Sequence, residues 1–314
     1  MSILSEPHFH NEEAAIARLE AIVWPNGVHC PRCGGFDRIT SVKGGRLGLR
    51  RCGPCKREFT VKVGTVFESS HVQIHIWFQA AHLMASSKKG ISAHQLHRTL
   101  KVTYKTAWFM EHRLREAMRD GHFVIGGEGK TVEIDETFVG GLEKNKHRSK
   151  RKHLGTGGVG KEAVFSLVER GGFVRSNHVP QVTAKTLRPI LRAQVDGATF
   201  VMTDEGGATK KIGGEYAKHE SVNHGAGEYV RGGAHTNTIE GYFSILKRGI
   251  NGVYHHVSQQ HLKRYLAEFD FRYNERMALG ISDTMRMNKA LSGIIGKRLM
   301  YKDSYPASIS GKTR

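Results

Sequence analysis

Two short cysteine pairs, Cys30-Pro-Arg-Cys33 and Cys52-Gly-Pro-Cys55, stand 18 residues apart and constrain the N-terminal part of this chain more than any other feature. Knuckles at this separation supply four thiolates for a tetrahedral Zn²⁺, and the Gly and Pro residues let the backbone turn tightly around the metal. Four protein ligands leave no open coordination position, so the expected site is structural. Phe36, Leu47, Leu49 and Phe59 are the expected apolar support. A unit spanning 28–62 is too small to fold on its core alone, so metal binding becomes part of its folding energy. Four cysteines in 314 residues are too few for a disulfide scaffold; the competing reading is a redox pair or four unrelated thiols.

The surroundings of these cysteines are basic. Residues 28–62 carry nine Lys and Arg against two acids, whereas residues 1–27 carry four acids and one Arg. Arg50, Arg51, Lys56 and Arg57, with Arg32, point toward phosphate contacts. A second run, KNKHRSKRK at 144–152, has six basic side chains and no acid; Lys150, Arg151 and Lys152 are candidates there, with a solvated loop as the plainer reading. The whole chain has a formal charge of +19, which leaves nucleic acid or an anionic membrane surface as the partner. Its apolar stretches are short and interrupted, and the acidic N-terminus lacks a signal-peptide core, so neither membrane insertion nor secretion is expected. Seven prolines and no low-complexity tract argue against a disordered coat protein.

Residues 11–24 predict a helix, with Asn11 as cap, Glu12 and Glu13 in the first turn, and Ile16, Leu19, Ile22 and Val23 on one face. From 70 to 119 the pattern is helical, broken at 86–90 and 101–103. Residues 92–100 and 104–115 around the second break read as a helix-turn-helix, packed by Leu96, Leu100, Val102, Ala107, Met110 and Leu114. Tyr104, Lys105, Trp108 and Arg115 would then face a DNA groove and its phosphates, although any amphipathic helical hairpin looks similar. After a linker at 121–130 the periodicity becomes strand-like, a helix intervenes at 183–195, and the run ATFVMTD follows. The expected organisation is α+β and multidomain: an N-terminal helix (1–27), the zinc unit (28–62), a helical DNA-binding region (63–122), an α/β catalytic domain (123–280) and a C-terminal tail (281–314). The segment GTGGVGK at 155–161 matches the front of a phosphate-binding loop, but Glu162 stands where Ser or Thr would bind Mg²⁺ and a strand-like run follows, so no nucleotide site is expected.

Three acids carry the candidate chemistry. Val132 and Ile134 share one face of a predicted strand, which puts Glu133 and Asp135 on the other. Asp204 ends a hydrophobic run, and Glu240 lies on a predicted helix after 35 intervening residues. Lys247 follows Glu240 by two helical turns on the same face, and Asn237 precedes it by one turn. Each acid alone reads as a cap or a surface charge; three converging carboxylates suit hard, oxygen-preferring Mg²⁺ or Mn²⁺.

With the cysteine pairs, the stretches VEIDETFVGG (132–141), HTNTIEGYFSILKRG (235–249), YHHVS (254–258) and RYLAEFDFRYNER (264–276) resemble the DDE-type transposases of bacterial insertion sequences, in particular the ISXO-like group. The resemblance runs from Cys30 to about Arg276. It implies an RNase H-like catalytic fold, Asp135, Asp204 and Glu240 as the Mg²⁺- or Mn²⁺-binding triad, and Lys247 on a DNA phosphate. Some relatives carry Asn at the third position, where this chain has Glu240. It also implies double-stranded DNA as partner (element ends and target), a dimer or larger assembly on DNA, and a bacterial cytoplasmic, nucleoid-associated location. His235 and Asn237 are candidates for orienting DNA or a carboxylate. Two rivals remain at this point: a non-enzymatic zinc-ribbon regulator, and a nuclease of the same fold without strand transfer.

Overall fold

The computed structural model describes residues 2–119, 121, 123–141, 145, 147–151, 158, 160–228 and 230–300. They fall into two units, one made of Met1–Arg119 and Glu275–Arg314, the other of Asp120–Asn274. The first unit begins with α1 (Glu12–Val23), where Asn11 Oδ1 accepts the Ala14 amide at 2.9 Å and Ala15, Leu19 and Val23 turn inward. A three-stranded antiparallel sheet follows: β1 (Ile39–Ser41), β2 (Arg50–Cys52) and β3 (Glu58–Phe59). Then come α2 (Ile74–Ser86), α3 (Ala93–Leu100) and α4 (Tyr104–Ala117). Glu12 starts α2 from another helix: its carboxylate accepts the Ile74 and His75 amides at 2.8 and 3.0 Å, placing a negative charge on the positive end of the helix dipole. Ser92 and Thr103 cap α3 and α4, and Lys101, left-handed at φ 54°, turns the chain between them. Leu96, Leu100, Ala107, Met110 and Leu114 are buried, and Val102 is half-buried, so this pair packs through the expected residues.

The second unit is built on one five-stranded sheet formed by β4 (Thr131–Val139), β5 (Glu162–Glu169), β6 (Val174–Val179), β7 (Phe200–Thr203) and β8 (Lys218–Ser221), ordered β6-β5-β4-β7-β8. β4, β5 and β6 form an antiparallel meander, and β7 and β8 add parallel to β4. Among the described residues it is accompanied by the α-helices α5 (Ala184–Gln194), α6 (Gly207–Gly213), α7 (Asn237–Gly249) and α8 (Gln259–Asn274). Strand alternation sorts the core into two layers. Val132, Ile134, Phe165 and Leu167 pack with Leu187 and Leu191 of α5 and Ile212 of α6. Val139, Val164 and Val168 pack with Ile239, Tyr242 and Leu246 of α7 and Leu262, Leu266 and Phe269 of α8. Because both faces are covered, β5 is an almost unbroken apolar run. The strand directly after the glycine-rich 155–161 segment fits the rejection of a nucleotide loop; residues 155–157 and 159 of that segment lie outside the described residues.

The sequence reading expected a tail after 280, and the structure differs. Residues 283–292 form α9 (Asp283–Ser292), capped by Ser282, and belong to the first unit. Arg286 enters the interior and donates to the Ala85 and Glu275 carbonyls, closing the last turn of α2. Gly293 allows the close approach that follows: a Cβ there would lie 2.3 Å from the Ala117 carbonyl oxygen. Hydrogen bonds from Val66 to the Ile294 carbonyl and from Gly296 to the Gly64 carbonyl hold the next residues. Residues 301–314 of the expected tail lie outside the described residues. Among the described residues, no helix is long and apolar enough to cross a membrane.

Candidate zinc centre and acidic site

The four cysteines converge from two tight turns. The Gly34 amide donates to the Cys30 carbonyl at 2.8 Å and the Lys56 amide to the Cys52 carbonyl at 2.9 Å, which folds each knuckle back on its first cysteine. A tetrahedral Zn²⁺ with Zn–S of about 2.3 Å sets its sulfurs about 3.8 Å apart. Cys30 and Cys55 Sγ lie 3.7 Å apart, Cys33 and Cys52 Sγ 3.6 Å, and all four fall within 4.8 Å of one another. No disulfide joins them, and these separations far exceed an S–S bond. The donor set therefore fits structural zinc. The apolar support differs from expectation: Phe36 and Leu47 are 62% and 50% exposed. Phe59 is buried as expected and Leu49 is half-buried, while Trp24 and Val61 are the unexpected buried residues, with Trp24 and Phe59 meeting edge to face at 6.0 Å.

The acidic site forms where β4 and β7 run side by side. Their register ends at Ile134 opposite Thr203, so Asp135, within β4, and Asp204, just past the end of β7, lie at the same level of adjacent parallel strands. Asp204 Oδ1 accepts the Gly206 amide at 2.9 Å and the Thr209 hydroxyl at 3.2 Å, which fixes its orientation at the start of α6. A Cβ at 206 would sit 2.8 Å from both Asp204 Oδ1 and Thr209 Oγ1, so a side chain there would displace the hydrogen bond that holds Asp204. Glu240 projects from the first turn of α7 and accepts the Thr236 hydroxyl at 3.1 Å. Asp135 thus lies on the face of β4 that packs under α7, the helix that carries Glu240.

Burial and the like charges of Asp204, Glu136 and Glu240 push the Asp135 carboxyl up to about 8. Glu136 is raised as well, by burial and by Asp204. A site of carboxylates, with oxygen donors only, is suited to a hard divalent cation. The carboxylates converge less tightly than the thiols: among the described residues the cysteines form the one group of three or more such side chains with ligand atoms within 4.8 Å. Lys247 is exposed and lines a cleft of about 440 Å³ with Lys161, Phe138 and the Gly140–Gly141 backbone, at the far end of β4.

The side chains expected on DNA divide into groups. Arg51, Lys56, Arg57 and Lys105 are exposed, as is Arg151. Arg50 is committed to α1 through a two-point pair with Glu20, Nη2–Oε2 2.6 Å and Nε–Oε1 3.1 Å. Arg115 corrects the sequence reading: it is fully buried and pairs with Glu111 at 3.0 Å one helical turn away, so it is not available to a groove. Lys152 lies outside the described residues, and the side chain of Lys150 does too. His235 and Asn237 separate: His235 Nδ1 lies 3.3 Å from Glu133 Oε1, and Asn237 is exposed.

Sequence reasoning put Glu133 on the face of Asp135 but gave it no role. Completely buried, it accepts Arg170 Nε at 2.7 Å, the Thr238 hydroxyl at 2.8 Å and the Ile239 amide at 2.9 Å. The available signal was an acid at an inward position of an otherwise apolar strand.

Comparison with known proteins matches both regions of the chain. Residues 10–58 match the transposase zinc-ribbon domain, and residues 126–274 match the ISXO2-like transposase domain. The chain is also 34% identical over 282 residues to the "Uncharacterized protein in transposable element ISH50" of Halobacterium salinarum, covering 84% of this chain and 91% of that protein. Zinc ribbon, sheet domain and relative lead to one assignment: the chain belongs to the ISXO2-like transposase family.

Proposed function

We propose that this chain is an active DDE transposase that binds the ends of its element, cuts them and joins them to target DNA. The observation that carries the reading is the placement of Asp135 and Asp204 at the same level of adjacent parallel strands, with Glu240 on the helix over that face. The strand order β6-β5-β4-β7-β8, an antiparallel meander extended by two parallel strands, supports an RNase H-like catalytic domain. Burial, together with the neighbouring Asp204, Glu136 and Glu240 carboxylates, raises Asp135 to about 8, an arrangement that supports a catalytic site over a purely regulatory DNA-binding protein.

Asp135, Asp204 and Glu240 hold Mg²⁺ or Mn²⁺, which when bound activates the attacking oxygen and neutralises charge on the leaving one. The chain's own residues do the rest. Asp204 is held in orientation by Gly206 and Thr209, and Glu240 by Thr236. Lys247 places a compact positive charge on a phosphate beside the reacting bond, and Lys161 lines the same cleft. Water first attacks the phosphorus at the element end, the P–O3′ bond breaks, and a 3′-hydroxyl is left. That hydroxyl then attacks a target phosphodiester, forming a new P–O bond and expelling the target's own 3′-hydroxyl. Arg51, Lys56 and Arg57 on the ribbon, Lys105 on α4, and the 144–152 segment contact DNA phosphates. Pairing two ends requires at least a dimer on DNA, and the work takes place at the nucleoid.

The test is cleavage of a labelled duplex carrying the element's end. With Mg²⁺ the wild-type protein cuts it; Asp204→Ala binds the duplex with similar affinity and leaves it whole. Mg²⁺-dependent cutting by Asp204→Ala would remove the triad from the mechanism.

A further inference from the structure

Building on the proposed triad, we infer that Glu133 and Arg170 are positioning residues that set Glu240 against Asp135. Glu133 lies two residues before Asp135 on the same face of β4, about 7 Å along the strand. Its Oε2 accepts the amide of Ile239, the residue immediately before Glu240. One carboxylate therefore fixes a point on the strand next to the first catalytic acid and a point on the helix next to the third. It also satisfies an amide at the N-terminus of α7, where a negative charge is favoured.

Arg170, just after β5, completes the arrangement. Its guanidinium donates from Nε to Glu133 Oε1 at 2.7 Å, from Nη1 to the Gly233 carbonyl at 2.9 Å and from Nη2 to the His235 carbonyl at 2.8 Å. The loop that enters α7 is thus tied to the same carboxylate as the helix itself. His235 lies against it too, with Nδ1 3.3 Å from Glu133 Oε1. A fully buried acid is costly to desolvate, and an apolar side chain would satisfy the core at this position. What an apolar side chain would not supply is a fixed placement of α7 on β4. Glu12 performs the same joining of two elements at the start of α2.

The test uses the full-length protein in four forms beside wild type. Arg170→Lys keeps the charge but loses the planar fork that spans three acceptors. Thr238→Val removes one donor to Glu133 without changing shape, and carries the test should Arg170→Lys fold poorly. Glu215→Gln is the control; it breaks an ion pair with Arg188 and Arg192 on the α5 side of the sheet. Asp204→Ala reports on the triad itself. Readouts are metal-free amide exchange over 237–243, Mn²⁺ binding by electron paramagnetic resonance, and affinity for the element-end duplex. Arg170→Lys is expected to exchange about tenfold faster at Ile239 and to need about tenfold more Mn²⁺, with duplex affinity within about twofold; Thr238→Val shows about a threefold change in both. Wild-type exchange and Mn²⁺ affinity in Arg170→Lys and Thr238→Val, or equal losses in Glu215→Gln, would overturn the inference. Unchanged Mn²⁺ binding in Asp204→Ala would instead remove the triad, and the metal-free exchange would still decide whether Glu133 and Arg170 fix α7.

Discussion

Replacing Asp135 with Asn should stabilise the metal-free protein while abolishing cleavage. In the folded chain the Asp135 carboxyl is raised from 3.8 to about 8 by burial and by Asp204, Glu136 and Glu240. An acid whose folded value is raised binds its proton more tightly in the native state. Its contribution to stability is complete below 3.8 and is lost as pH rises through about 8. The displacement corresponds to a ceiling of about 5 kcal/mol at pH 7.5. Solvent reaches part of the carboxyl, and Asp204, Glu136 and Glu240 still face one another after the substitution, so about 2–3 kcal/mol is expected. For a unit of this size that is a rise in Tm of roughly 5–10 °C. Differential scanning calorimetry in chelator from pH 4 to 8 measures it. The advantage of Asp135→Asn should be near zero at pH 4 and grow steadily to pH 8, and Mg²⁺ should raise the Tm of wild type more than that of the variant. An advantage independent of pH, or a variant less stable than wild type at pH 8, would refute the reasoning.

Other expectations concern the first unit. Cys52→Ser should lose bound zinc, measured by atomic absorption, and disorder residues 28–62, since metal binding is part of that unit's folding energy. Arg115→Ala should cost about 3–5 kcal/mol in denaturant unfolding because it removes the buried arginine that pairs with the buried Glu111 carboxylate. Arg57→Ala should weaken DNA binding uniformly across sequences and reduce the magnitude of the salt slope by about one, whereas Arg50→Ala, whose partner is Glu20, should change stability more than salt dependence.

Much of the architecture was legible because it rests on local signals. Asn11, Ser92 and Thr103 cap helices where the spacing places them, and the alternation of Val132, Glu133, Ile134 and Asp135 assigned the two faces of β4. The cysteine knuckles were equally readable, since metal geometry fixes their spacing. What escaped depends on partners distant in the chain. Glu133 meets Arg170 and α7, and Glu12 meets α2, without any nearby residue announcing either contact. α9 looked like a tail because its burial comes from α1, α2 and α4 rather than from its own pattern. β8 is short and polar at the sheet's edge, so it carries no strand periodicity. Arg115 follows the surface rule for arginines only where a helix has an exposed side, and in α4 that position faces inward.

The central claim is that Asp135, Asp204 and Glu240 join DNA strands. The direct measurement incubates the protein with a labelled element-end duplex, a supercoiled plasmid and Mg²⁺, and looks for label covalently attached to the plasmid. Wild type should give joined products, and Asp204→Ala and Glu240→Ala should give none while still retarding the duplex. Cleavage without joining, an intact retarded duplex with wild type, or joined products from either variant would contradict it.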